Sequence, residues 1–152
     1  MSNVLIGIIG VILFIGLALA GALFLGPRFQ ESTNNSRASA AVQAVSQVSN
    51  AANMYNVQEG KVAATAAILK TGDYLKSIPS NPTDSASASP EINAAGTFVT
   101  MPLGGNAKAI CAAINKQTSG LADTAAAPVA ATGTAGCFSA NGTSGWTAFS
   151  AI

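Results

Sequence analysis

The chain has 152 residues, of which 9% are charged; its formal net charge is +1 and it contains no histidine. An average soluble protein carries ~25% charged residues, and the deficit here is filled by Ala, Ser, Thr, Gly and Asn. The near-neutral balance gives no electrostatic footprint for nucleic acid, and the lack of histidine removes the commonest acid–base side chain.

The chain opens on MSNVLIGIIGVILFIGLALAGALFLGPRF. From Val4 to Leu25 about 22 residues pass without a charge, close to the ~20 that cross a ~30 Å hydrocarbon layer as a helix. A secretory signal would need a basic n-region, a shorter apolar core and a cleavage site, and only Met1, Ser2 and Asn3 precede the run. Residues 1–27 are therefore expected to form an apolar membrane-spanning helix, with 28–152 as one globular domain of modest core. Arg28 and Arg37 follow the span, which biases the C-terminal part toward the cytoplasm.

Within the span, Ala18, Ala22 and Gly26 recur every four residues, with Gly16 and Ala20 as a second small pair. Small residues let helix backbones approach closely, so these five are the expected subunit-packing positions. Gly7, Gly10, Gly16 and Gly21 each lower helix propensity by about 1 kcal/mol relative to Ala, a reserve for local unwinding. Gly26-Pro27 is expected to break or bend the helix, because proline lacks the N–H donor and crowds the preceding turn.

Beyond the proline, Ala41, Val42, Val45, Val48, Ala52 and Tyr55 recur at spacings of three and four. They predict an amphipathic helix over 36–59, capped by Asn34, Asn35 or Ser36 and ended by Gly60. A short helix at Ala63–Leu69 and a turn at Gly72-Asp73 follow, and Pro79, Pro82 and Pro90 exclude long regular elements. The Ser/Ala-rich run at 85–90 reads as an exposed loop, with a site for O-linked sugar as the alternative. GTFVTMPL (96–103) alternates as a strand does, and NAKAICAAINKQTSG (106–120) predicts a helix. Asn106 is its cap, Ala107, Ile110, Cys111 and Ile114 form its apolar face, and Gly120 is its stop. AGCFSA (135–140) and GWTAFSAI (145–152) are strands flanking Asn141-Gly142, a strong hairpin signal. Long helix first and antiparallel strands last make an α+β pattern: a long N-terminal helix, apolar then amphipathic, packed on a small antiparallel sheet.

Cys111 and Cys137, about 26 positions apart, are the only cysteines. Their even number fits one disulfide in an oxidising compartment, worth roughly 3 to 3.5 kcal/mol, and two unpaired buried thiols are the alternative. A disulfide places the domain outside the cytoplasm, against the flanking charges. A basic leader removed ahead of Met1 would reconcile the two. Catalysis has little to draw on: there is no G-x-S-x-G, no P-loop, and Glu31, Glu59, Asp73, Asp84, Glu91 and Asp123 are scattered. No cofactor or metal set is expected. The N-x-S/T sequons at Asn34 and Asn141 are short enough to arise by chance.

The order of NNSRASAAVQAVSQVSNAANMY, DYLKSIPSNP, AICAAINKQ and GCFSANG…GWTAFS resembles the type IV pilins and pseudopilins, in particular the type IVb branch. The resemblance covers the whole length in architecture. It implies a short basic leader removed by a prepilin peptidase, with Met1 as the processed N-terminus, and an inner-membrane pool that assembly machinery polymerises into an extracellular filament. The implied partners are thus copies of the chain itself, that peptidase and that machinery. One departure stands out: the family's glutamate at mature position five, paired with a neighbour's N-terminal amine, is Leu5 here, and the first acidic residue is Glu31. An unusual major pilin, a tip-type minor subunit and an unprocessed chain all fit that departure. A pseudopilin of a secretion or DNA-uptake system, and a monomeric membrane-anchored extracytoplasmic binding domain, are the competing functional readings.

Overall fold

The computed structural model describes residues 2–118, 133–139, 142 and 144–152. Its elements in chain order are helix α1 (Ser2–Glu59), helix α2 (Ala66–Thr71), strand β1 (Glu91–Ile92), strand β2 (Phe98–Pro102), helix α3 (Ala107–Thr118), strand β3 (Ala135–Ser139) and strand β4 (Trp146–Ala151). This is an α+β arrangement. The chain divides into two compact units, Met1–Thr33 and Asn34–Ile152.

Of the break or bend expected at Gly26-Pro27, the break is not there: α1 runs from Ser2 to Glu59 with Pro27 inside it. A proline removes one backbone bond, the one to the carbonyl four residues earlier, and helical turns on both sides keep the remaining bonds. For the same reason Asn34, Asn35 and Ser36 cap nothing. They lie in helix interior, because propagating an existing helix costs far less than nucleating a new one. The hydroxyls in this stretch turn back on the helix: Thr33 Oγ1 donates to the Phe29 carbonyl (2.9 Å) and Ser39 Oγ to that of Asn35 (3.1 Å), which is how Ser and Thr are accommodated mid-helix. Gly60 does end α1, at φ +65°, where a side chain would be strained.

In the second unit the α1 face made of Ala38, Ala41, Ala44, Val45, Val48, Ala51 and Ala52 is buried, with Val42 and Tyr55 partly so. The expected stripe is present and wider than its spacing suggested. Five of its seven members are alanine, so the helix approaches its neighbours closely and the larger volumes come from Val99, Met101, Ile110 and Ile114. Each fully buried aliphatic side chain contributes about 1.5–3 kcal/mol.

The sheet has the order β1-β2-β4-β3, with every neighbouring pair antiparallel. β4 is central, setting Thr100 opposite Phe149 on one side and Cys137 opposite Ala148 on the other. Inward Val99 and Met101 alternate with half-exposed neighbours along β2. The hairpin expected between β3 and β4 is formed; Gly142 adopts φ +71° and donates to the Ser139 carbonyl (3.2 Å), while Asn141 lies outside the described residues. Strand β1 was not expected, being two residues long and directly after Pro90. The short helix lies at Ala66–Thr71 rather than Ala63–Leu69, followed by the expected turn, with Asp73 at φ +60°. Helix α3 buries Ile110, Cys111, Ala113, Ile114 and Asn115, with Ala107 partly covered, and the Ile110 N–H donates to the Asn106 carbonyl (3.0 Å) at its start. Its expected stop, Gly120, lies outside the described residues.

Candidate functional site

In the first unit α1 presents its apolar side chains to the surroundings. Val4, Leu5, Ile6, Ile8, Ile9, Val11, Ile12, Leu13, Phe14, Ile15, Leu17, Leu19, Leu23, Phe24 and Phe29 are each 50–79% exposed, and among the described residues the most apolar stretch is unburied. At 1.5 Å per residue the uncharged run is about 33 Å long, the thickness of a bilayer core. It is compatible with membrane insertion. The first charges after it, Arg28 and Glu31, approach to 3.7 Å one turn apart with both side chains largely exposed, a pair of little energetic weight.

The five small residues do not share one side of this helix. At 100° per residue Ala18, Ala22 and Gly26 fall within about 80° of arc, whereas Gly16 and Ala20 centre about 140° away, nearly opposite. Two small-residue faces therefore exist, and a Cβ built at Gly16 or Gly26 would meet nothing within 4 Å. Met1 lies outside the described residues.

In the second unit the polar chemistry is structural in character. Cys111 and Cys137 form a disulfide joining α3 to β3, with Cα atoms 5.4 Å apart and both residues fully buried. Asn115, four residues beyond Cys111 on the same helix face, was not anticipated. Its Nδ2 donates to the Cys137 carbonyl (3.1 Å) and its Oδ1 accepts from the Cys137 N–H (2.7 Å). Two other asparagines act alike on the far side of the sheet. Asn93 Oδ1 accepts from the Phe98 N–H (3.0 Å), and Asn81 Nδ2 donates to the carbonyls of Pro102 (2.7 Å) and Ala88 (2.9 Å). Asn81 is itself held by Thr83, whose N–H and hydroxyl both donate to its Oδ1 (3.0 and 2.7 Å). Backbone groups of β2 beyond the short β1, and of the outer strand β3 at Cys137, are thus bonded by side chains.

The acidic residues named here each engage a different partner. Glu59 Oε1 accepts from the Tyr74 hydroxyl (3.0 Å), Glu91 accepts from the Ala66 N–H (3.2 Å), and Asp84 accepts from the Ala86 N–H (3.0 Å) in its own turn. Desolvation first, then the hydrogen bond to Glu59 and the Glu59 charge, raise the Tyr74 phenol above its ordinary value. Among the described residues no group of three or more His, Cys, Asp or Glu gathers to hold a metal ion; Asp123 lies outside them. An open groove of about 520 Å³ runs between α1 and the proline-containing loop, bounded by Gln43, Gln47, Ser77, Ile78, Pro79 and Pro82, and its walls carry no titratable side chain. The 85–90 run is loop, exposed at Ser85, Ala86, Ala88 and Ser89 and buried at Pro90.

Comparisons with protein-family models, with curated proteins and with solved structures return no match.

Proposed function

We propose that the chain is a structural subunit of an extracellular type IV pilus-like filament, held in the inner membrane by its apolar helix and polymerised through that helix. The observation that carries this reading is the double use of α1. One continuous helix offers an apolar surface that is exposed among the described residues, and its later turns contribute to the core of the folded unit. Such a surface needs either lipid or other copies of itself, and exchanging one for the other costs little because both are apolar. Asn115 takes the open backbone groups of outer strand β3 at Cys137, which favours association through the helix over strand addition there. Processing of a basic leader to leave Met1, and handling by assembly machinery, belong to the same proposal. Leu5 supplies no carboxylate for a neighbour's N-terminal amine, leaving Asn3 or a lipid phosphate as its partner.

The test is electron microscopy of material sheared from the surface of cells making the protein, with mass spectrometry of the subunit's N-terminus. Filaments composed of this chain and beginning at Met1 are expected. Protein found only as a monomer in the membrane fraction would defeat the filament reading and leave a single-span anchored domain.

A further inference from the structure

Cys111 and Asn115 stand one turn apart on α3, and both reach Cys137. The disulfide ties the first, and the amide of the second engages the Cys137 backbone in both directions, as donor at 3.1 Å and acceptor at 2.7 Å. Backbone groups along a strand point alternately to its two sides, and Gly136 and Phe138 flank Cys137 in the ladder with β4. The N–H and C=O that Asn115 takes therefore lie on the side of β3 away from β4, where the described residues place no further strand. The amide does there what a neighbouring strand's peptide would do. Gly136 keeps the space open: a Cβ on it would come within 3.3 Å of Asn115 Oδ1 and 3.2 Å of the Phe149 ring.

The two ties constrain different things. A disulfide fixes a distance between two residues but leaves several torsions to accommodate how a strand lies against a helix. Two hydrogen bonds to one planar amide fix the strand's position and its rotation. With Asn115 only 7% exposed and Cys137 fully buried, releasing the pair would leave buried donors and acceptors unmet. We infer that Asn115 sets the register of β3 against α3, holding the two cysteine thiols face to face before they are joined and after they are reduced. The disulfide then locks a junction that the amide has already assembled.

The oxidation this serves needs a small-molecule disulfide as oxidant. One protein thiolate displaces half of the oxidant to give a mixed disulfide. The second protein thiolate attacks the protein sulfur of that bond and expels the other half. One protein disulfide and two small thiols result, the latter carrying the two protons the cysteines lost. How readily the second step occurs reports how closely the fold holds the thiols.

The full chain in detergent micelles is equilibrated with oxidised and reduced glutathione, quenched, and its oxidised fraction measured by mass, under conditions where circular dichroism shows the reduced chain folded. Asn115→Ala should lower the effective concentration of the thiol pair about tenfold, the effect of losing one net hydrogen bond. Leu69→Ala, a buried cavity on α2, should lower overall stability yet change the effective concentration less than about twofold. Equal values for Asn115→Ala and Leu69→Ala overturn the inference. Should reduced Asn115→Ala fail to fold, amide exchange in the reduced parent protein decides. Continued protection of the Cys137 N–H supports the amide's role, and exchange at the unprotected rate while β4 stays protected refutes it.

Discussion

Replacing both Cys111 and Cys137 by alanine removes the one covalent cross-link of the folded unit, and its cost can be worked from the loop it closes. The sequence separation is 26 residues. With the chain-entropy relation, ΔS is about −2.1 − 1.5R ln 26, or roughly −12 cal/mol/K, which at 25 °C is about 3.5 kcal/mol of stability lost through the freer unfolded chain. Both residues are fully buried, so alanine avoids the further penalty of burying serine hydroxyls without partners. Against a total of ~5–15 kcal/mol for a domain this loss is large but survivable, and the junction retains its Asn115 hydrogen bonds. Urea unfolding of the full chain in micelles is the assay, followed by far-ultraviolet circular dichroism and by the fluorescence of Trp146, the single tryptophan, which faces Ser139 across the β3–β4 ladder. The variant should unfold in one transition at markedly lower urea. A stability within about 1 kcal/mol of the parent would refute the loop-closure account.

Three further outcomes are expected. Asn81→Ala should cost about 2–4 kcal/mol by equilibrium unfolding, because the carbonyls of Ala88 and Pro102 and both donors of Thr83 lose their partner together; a loss below about 0.5 kcal/mol would show that water replaces it. Ala22→Trp should insert into membranes and form its disulfide normally yet yield no surface filaments by electron microscopy, while Leu13→Phe is tolerated; filaments of normal length from Ala22→Trp would rule out that face as a helix contact. The raised Tyr74 value means the folded state favours the neutral phenol. Its contribution to stability is complete below the ordinary tyrosine value of 10.0 and is lost as pH rises through the higher folded value. Phenolate absorbance should accordingly show one of the two tyrosines titrating late, and Glu59→Gln should move that titration down.

Much of this molecule was legible in the sequence where a property is additive along the chain. Twenty-odd residues without charge are apolar in any fold. Val45, Val48 and Ala52 share a helix face because 3.6 residues make a turn, and two cysteines pair in only one way. Local signals misled where cooperativity overrides them: Asn34, Asn35 and Ser36 have the chemistry of caps and Pro27 that of a breaker, but a helix already propagating runs through all four. Only the tertiary structure decided the strand order, which threads β4 between β2 and β3, and gave a two-residue β1 its place beside β2. It alone assigned the asparagines. The Pro102 carbonyl that Asn81 satisfies and the Cys137 groups that Asn115 satisfies lie 21 and 22 positions away in the chain. A short polar side chain has no periodicity to announce its partner, so its role exists only once the fold has brought an unmet backbone group within hydrogen-bonding distance.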